Sequence, residues 1–163
     1  MRVDKNGLDF IKSFEGLHDG DLSTIGLQPK MDPVGIWTSG WGHAIRDNNG
    51  NFIKGKGNKD LAYKYNKVNN LTEADSELNN DLKIFEFILQ KKIKIQLNKN
   101  QWNSMLSHIY NTGGSDTLFK LINKKAPEEQ IRKWFETKYV TANGVRLQGL
   151  VRRRKAESDL FFK

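Results

Sequence analysis

The chain contains no cysteine and no long apolar run among its 163 residues. Without thiols, neither disulfides nor thiolate chemistry is available, and cysteine usage says nothing about the compartment. No segment approaches the roughly 18 apolar residues of a membrane-spanning helix, so we expect no stable membrane insertion. The first eight residues also lack the apolar region of a signal peptide. We therefore expect a protein made in the cytoplasm without a secretory signal.

Repeats, low-complexity tracts and linkers are absent as well. Length and uniform composition together predict a single compact domain over residues 1–163, within which two lobes can share the chain.

Positive charge is in excess, with 27 Lys and Arg against 19 Asp and Glu, a net charge of +8. Such a balance attracts polyanions, among them nucleic acid, acidic cell-wall polymers and anionic membrane surfaces. The positive residues are spread along the chain, with local concentrations at residues 91–94 and 152–155. No helix-turn-helix, zinc or aromatic-rich sheet pattern accompanies them, so we expect no nucleic-acid partner.

A short helix is predicted over residues 5–14, with Asp4 as its cap and Gly16 as its end. Glu15 then lies at the carboxyl end of this helix. Residues 18–31 are predicted to form a loop, because Gly20, Gly26 and Pro29 interrupt any periodicity.

A small β-region is predicted over residues 31–56. Asp32-Pro-Val-Gly is typical of a turn, and residues 36–39 follow as a strand that places Trp37 and Thr38 on opposite faces. Asn49-Gly50 is a strong hairpin signal.

Helices are predicted for most of the remainder. Thr72 is the expected cap of a long helix with one apolar stripe, formed by Leu78, Leu82, Phe85, Leu89 and Ile93. Further helices are expected from Asn98 or Asn100 to Gly113, over 115–123, from Pro127, and over 148–161. Trp102 and Trp134 are assigned to the core, and residues 152–154 to a surface face of the last helix.

Several motifs resemble those of the phage-type lysozymes, glycoside hydrolase family 24, also called endolysins or muramidases. They are Phe14-Glu-Gly16, Asp32-Pro-Val-Gly-Ile-Trp-Thr38, Gly40-Trp-Gly-His43, Tyr110-Asn-Thr-Gly113 and the closing segment 149–161. These motifs occur in family order over nearly the whole chain. The resemblance implies an α+β, lysozyme-like fold. In it a small antiparallel β-lobe, about residues 17–65, is joined by a long helix to a mainly helical lobe, about 72–163 plus the helix 5–16.

Carried over residue by residue, the resemblance implies three catalytic residues. Glu15 is similar to the general acid, Asp32 to the carboxylate that orients or deprotonates the attacking water, and Thr38 to the hydroxyl that holds this water. Glu15 and Asp32 lie further apart in sequence than their counterparts in the family, which we interpret as an insertion within residues 18–29. Asp19 and Asp21 therefore compete for the role of Asp32. Neither stands six residues before a threonine followed by Gly-x-Gly-His, so Asp32 is favoured.

Three further residues match family positions near the substrate. His43 is similar to a histidine behind the active site, for which we expect an ion pair with Asp81 rather than direct catalysis. Tyr110 and Thr117 match positions that contact saccharide, although packing explains Tyr110 equally well. The resemblance implies no metal and no cofactor.

The resemblance implies a peptidoglycan hydrolase that cleaves the β-1,4 bond between N-acetylmuramic acid and N-acetylglucosamine during bacterial lysis. We expect a monomer whose partner is bacterial peptidoglycan, reached by holin-type release or another export route. Two alternatives stay open: a lytic transglycosylase or chitinase-like enzyme, and a non-catalytic cationic module that binds the cell wall.

Overall fold

The computed structural model describes all residues, 1–163. It contains seven α-helices and five short strands, arranged in two antiparallel sheets. This α+β architecture confirms the predicted fold class. The chain divides into two compact units, one of Glu15–Asp81 and one of Met1–Phe14 with Leu82–Lys163. None of the helices combines the length and apolar composition that a bilayer span requires.

The Glu15–Asp81 unit contains a three-stranded sheet. Strands β1 (Lys30–Met31), β2 (Trp37–Ser39) and β3 (His43–Ala44) are antiparallel and adjacent in that order. A turn at Asn49-Gly50 follows, with φ of 82° at Gly50 and an isolated bridge between Arg46 and Phe52, so the predicted hairpin is confirmed. A 3-10 turn (Lys56–Asn58) and helix α2 (Lys59–Tyr65) complete the segment.

The core of this unit lies on one face of β2. Trp37 packs with Ile45, Ile53 and Ala62, and its indole Nε1 donates to the carbonyl of Gly55 at 2.9 Å. Because side chains alternate along a strand, Thr38 points away from this core, as predicted.

Six longer helices account for most of the remaining chain. They are α1 (Lys5–Glu15), α3 (Leu71–Lys92), α4 (Lys99–Thr112), α5 (Asp116–Asn123), α6 (Glu128–Thr137) and α7 (Gln148–Phe161). A hairpin of β4 (Thr141–Ala142) and β5 (Val145–Arg146) turns at Asn143-Gly144. The predicted helix bounds agree with these within one or two residues.

Local side-chain hydrogen bonds cap the N-termini of α1, α3, α4 and α5. Asp4 Oδ1 accepts from the backbone N–H of Gly7 at 2.9 Å, and Asn98 forms a capping box with Gln101. The expected cap at Thr72 is wrong. Helix α3 begins at Leu71, and the side chain of Asn70 accepts from the N–H of Glu73 at 2.9 Å instead.

The last helix, α7, buries arginines that were predicted to lie on the surface. Arg153 and Arg154 are 4% and 0% exposed, so their assignment to the surface is wrong, whereas Arg152 is exposed. Both guanidinium groups donate to the fully buried carboxylate of Glu157, Arg153 at 3.1 Å and Arg154 at 2.9 Å. The two arginines can be buried because the carboxylate of Glu157, on the same helix, compensates their charge. Hydrophobic periodicity does not detect such a pairing.

Candidate active site

Glu15 is the last residue of α1 and its side chain is half-buried. Gly16 follows with φ of 69°, a conformation that favours glycine and ends the helix. The chain then passes the end of β2, where the N–H of His18 donates to the carbonyl of Gly40, the residue after the strand, at 2.8 Å. This backbone bond brings the segment after Glu15 alongside the strand that carries Thr38.

Asp32 occupies the turn between β1 and β2. Its Oδ1 accepts from the N–H groups of Val34 at 3.0 Å and Ile36 at 2.8 Å, which fixes the carboxylate on the turn. Both bonds use the same oxygen, so Oδ2 is left outside this network. The side chain is half-buried, as is suitable for a group that meets both protein and solvent.

The Thr38 hydroxyl is 5% exposed and has two protein partners. Oγ1 donates to the carbonyl of Lys30 at 2.9 Å and lies 2.5 Å from Nδ1 of His18. The hydroxyl has a single proton, which the Lys30 carbonyl receives, so the imidazole is the donor in the second bond.

His18 interacts with each of the predicted catalytic groups, with Thr38 by a hydrogen bond and with Glu15 and Asp32 through their charges. Burial lowers the pKa of His18, and the charge of Lys30 lowers it further, while the charges of Glu15 and Asp32 act in the opposite direction. Both carboxylates are therefore close enough to influence the imidazole. Thr38 contacts His18 directly, whereas Glu15 and Asp32 act on it through their charges, and all four residues belong to the Glu15–Asp81 unit. Their assignment as catalytic residues stays a prediction.

The two competing carboxylates have other tasks. Asp19 Oδ1 accepts from the N–H groups of Asp21 and Gln28, at 3.1 and 3.2 Å. Asp21 accepts from Ser23 and Thr24, and the hydrogen bonds of their side chains hold its pKa at about 2. These bonds stabilise the loop between residues 19 and 28. Both carboxylates therefore have a structural role in this loop.

His43 forms the predicted ion pair with Asp81, at 2.9 Å from Nδ1 to Oδ2, and Glu77 Oε1 lies 3.4 Å away. Burial acts to lower the pKa of His43, but the hydrogen bond and charge of Asp81, with the charge of Glu77, outweigh it and raise that pKa. These three side chains place one ligand-type atom each within 4.8 Å of one another. The ion pair gives this cluster a structural role.

Tyr110 and Thr117 belong to the other compact unit. Tyr110, near the end of α4, is half-buried and packs edge-on against Phe85, with ring centroids 5.6 Å apart. Thr117 is exposed in the first turn of α5. Their assignment to substrate binding stays a prediction.

Sequence reasoning missed His18 and Lys30. The signal for His18 was its position three residues after Glu15, since a histidine beside candidate catalytic carboxylates warrants attention. For Lys30 the contribution is a backbone carbonyl, which no residue type reveals.

The sequence of this chain matches a known protein family. Residues 12–157 match the model of the phage lysozyme family. The endolysin of Acyrthosiphon pisum secondary endosymbiont phage 1 is 29% identical over 170 residues, covering 99% of this chain and 98% of that protein. The endolysin of Lactococcus phage c2 is 28% identical over 168 residues, covering 100% of this chain, which spans only 61% of that protein's length.

Solved structures of phage endolysins and related proteins have a similar fold. The endolysin from Escherichia coli O157:H7 phage FAHEc1 aligns with a TM-score of 0.73 at 25% identity, covering 100% of this chain and 94% of that one. The muramidase domain of SpmX from Asticaccaulis excentricus aligns with a TM-score of 0.73 at 22% identity, over 99% and 98% of the two chains, and supports the fold. Since the family model spans most of the sequence, including Glu15, Asp32 and Thr38, this protein belongs to the phage lysozyme family.

Proposed function

We propose that this protein is a peptidoglycan hydrolase that cleaves the β-1,4 bond between N-acetylmuramic acid and N-acetylglucosamine. Family membership supports the coarser part of this statement, a glycoside hydrolase acting on peptidoglycan. The observation that supports the finer part is the hydrogen bond between Thr38 and the half-buried imidazole of His18, on which the charges of Glu15 and Asp32 also act.

Glu15 is the general acid in this proposal. A glycosidic oxygen is a poor leaving group until it is protonated, and a positioned carboxylic acid delivers that proton as the bond breaks. Glu15 enters the site from the end of a helix, whereas Asp32 and Thr38 enter from a turn and a strand. Groups from different elements can act on opposite faces of one sugar ring.

Asp32 and Thr38 bind the water molecule that attacks the sugar. The Oδ2 oxygen of Asp32 lies outside the turn's hydrogen bonds and accepts one proton of the water, while its negative charge stabilises the oxocarbenium-like transition state. Thr38 is short enough to hold the same water without filling its space.

The remaining assignments follow the same proposal. His43 supports the sheet through its ion pair, and Tyr110 and Thr117 contact the saccharide. The protein works as a single lysozyme-like domain over residues 1–163, as a monomer, and without metal or cofactor. Its role is bacterial lysis, after holin-type release or another export route brings it to the wall.

Digestion of purified peptidoglycan tests the proposal directly. We expect fragments with reducing N-acetylmuramic acid ends, identified by mass spectrometry before and after borohydride reduction. Ends of the 1,6-anhydro type would identify a lytic transglycosylase instead. Reducing N-acetylglucosamine ends would place the cut at the other glycosidic bond, and binding without any fragments would leave a non-catalytic wall-binding module.

A further inference from the structure

The bond between His18 and Thr38 has no assigned role in the proposed reaction. It joins residues 20 positions apart, with Nδ1 and Oγ1 2.5 Å from each other. The backbone N–H of His18 also donates to the carbonyl of Gly40 at 2.8 Å, which holds this segment beside the end of β2. The pair is therefore built into the sheet.

Counting protons determines the direction of each bond. The carbonyl of Lys30 can only accept, so the Thr38 hydroxyl donates its single proton there, at 2.9 Å. If the hydroxyl turned toward His18 instead, two oxygens would face each other without a proton between them. The arrangement that satisfies both contacts has Nδ1–H of His18 donating to Oγ1 of Thr38.

We propose that His18 is a positioning residue for the proposed hydrolysis, because it fixes the Thr38 hydroxyl as an acceptor for the attacking water. This inference rests on the proposed function. With its proton held by Lys30 and one lone pair taken by His18, Oγ1 presents its second lone pair outward. The water can then donate one hydrogen to Thr38 and the other to Asp32.

The consequence is a defined direction of attack. A water whose two hydrogens are both held by acceptors directs its own lone pairs at the anomeric carbon. As the new C–O bond forms, the glycosidic C–O bond breaks, Glu15 gives its proton to the leaving oxygen, and Asp32 takes a proton from the water. If Thr38 were free to rotate, it would also offer a proton to the water and compete with this alignment.

Two substitutions separate positioning from packing. In His18→Leu the donor is lost, and we expect kcat to fall about tenfold, as for loss of one hydrogen bond, with KM within about twofold of the wild type. In His18→Asn the side-chain amide nitrogen lies near the position of Nδ1 and restores the donor. We expect His18→Asn to keep at least half of the wild-type kcat.

A double-mutant cycle tests whether His18 acts through Thr38. The Thr38→Val variant keeps only residual activity. Adding His18→Leu to it should lower kcat by less than about twofold, because the hydroxyl that His18 positions is gone. An equal loss in both backgrounds would overturn the proposal, as would full kcat in His18→Leu. Nitrogen NMR of the wild-type imidazole should find the proton on Nδ1, and a proton on Nε2 alone would also overturn it.

A third variant covers the case in which His18→Leu does not fold. His18→Gln stays polar but places its amide nitrogen where Nε2 lies, so we expect it to be impaired while His18→Asn is active. Equal kcat in the two variants would contradict the proposal. If wild-type protein hydrolyses peptidoglycan and only these variants behave unexpectedly, the positioning role fails alone; if wild-type protein does not hydrolyse it, the proposed function fails first.

Discussion

The imidazole of His43 lies against the carboxylate of Asp81, with Nδ1 2.9 Å from Oδ2 and 3.1 Å from Oδ1. Strand β3 carries the histidine and α3 carries the aspartate, so the pair ties the sheet to the helix within the Glu15–Asp81 unit. Glu77, one turn earlier on α3, adds a second negative charge at 3.4 Å.

This pair predicts a pH-dependent contribution to stability. The folded state raises the pKa of His43 above its ordinary 6.5, so the stabilisation is fully present below that pH and is lost as pH rises through the raised value. Asp81→Asn should lower the unfolding free energy by about 1 kcal/mol near pH 6, and the difference should shrink toward pH 9. Urea titrations of both proteins across this range measure it. A difference that grows with pH would contradict the assignment.

Loss of the general acid should abolish activity without loss of the fold. We expect Glu15→Gln to reduce peptidoglycan hydrolysis by about a hundredfold to ten-thousandfold, the usual contribution of general acid catalysis. The substitution keeps the size of the side chain, so circular dichroism and the melting temperature should change little. Undiminished turnover in a folded Glu15→Gln protein would remove Glu15 as the acid.

The second carboxylate can be located by comparing three aspartates. Asp32→Asn keeps the Oδ1 acceptor for Val34 and Ile36, so the turn survives while the charge disappears, and we expect severe loss of activity. Asp19→Asn and Asp21→Asn serve as matched controls and should keep near wild-type activity, since their carboxylates serve the loop. The reverse ranking, measured in the same turbidity assay, would place the second catalytic group in the 18–29 segment.

The buried cluster around Glu157 should make a large contribution to the stability of the unit formed by Met1–Phe14 and Leu82–Lys163. Glu157 accepts from Ser107, His108, Arg153 and Arg154, so Glu157→Gln leaves two buried guanidinium charges without their counterion. We expect a loss of about 3–5 kcal/mol by urea unfolding.

Asp159→Asn on the same helix is the control for Glu157→Gln. Asp159 is 53% exposed and pairs with Lys155 and Arg132, and such surface pairs contribute about 1 kcal/mol or less. Equal losses in the two variants would contradict the importance of burial.

The net charge of +8 predicts that salt weakens action on anionic walls. Electrostatic attraction to the wall should decline as the Debye length falls from about 30 Å at about 0.01 M salt to about 8 Å at about 0.15 M. Initial rates on purified walls should therefore decrease, whereas rates on a short uncharged glycan should stay constant. A flat salt profile on walls would remove charge as the steering force.

The sequence by itself determined the elements that local chemistry specifies. Gly113 set the end of α4, Asn143-Gly144 set the last turn, and the alternation at Trp37 and Thr38 set the two faces of β2. For the start of α4 the sequence allowed Asn98 or Asn100, and the structure has Asn98. Capping bonds, glycine conformations and strand alternation act over a few residues, so a reading of neighbouring positions is enough. The motif spacing also favours Asp32 over Asp19 and Asp21, and this choice stays a prediction.

Tertiary structure alone decided which distant groups meet. His18 reaches Thr38 because the backbone after α1 pairs with Gly40. Arg154 is buried because Glu157 and, from α4, Asn111 accept hydrogen bonds from its guanidinium group. Neither contact has a signal in local composition, since histidine and arginine are most often solvated when seen in sequence. Their placement depends on how loops and helices bring together residues tens of positions apart, and that is settled by packing the whole unit.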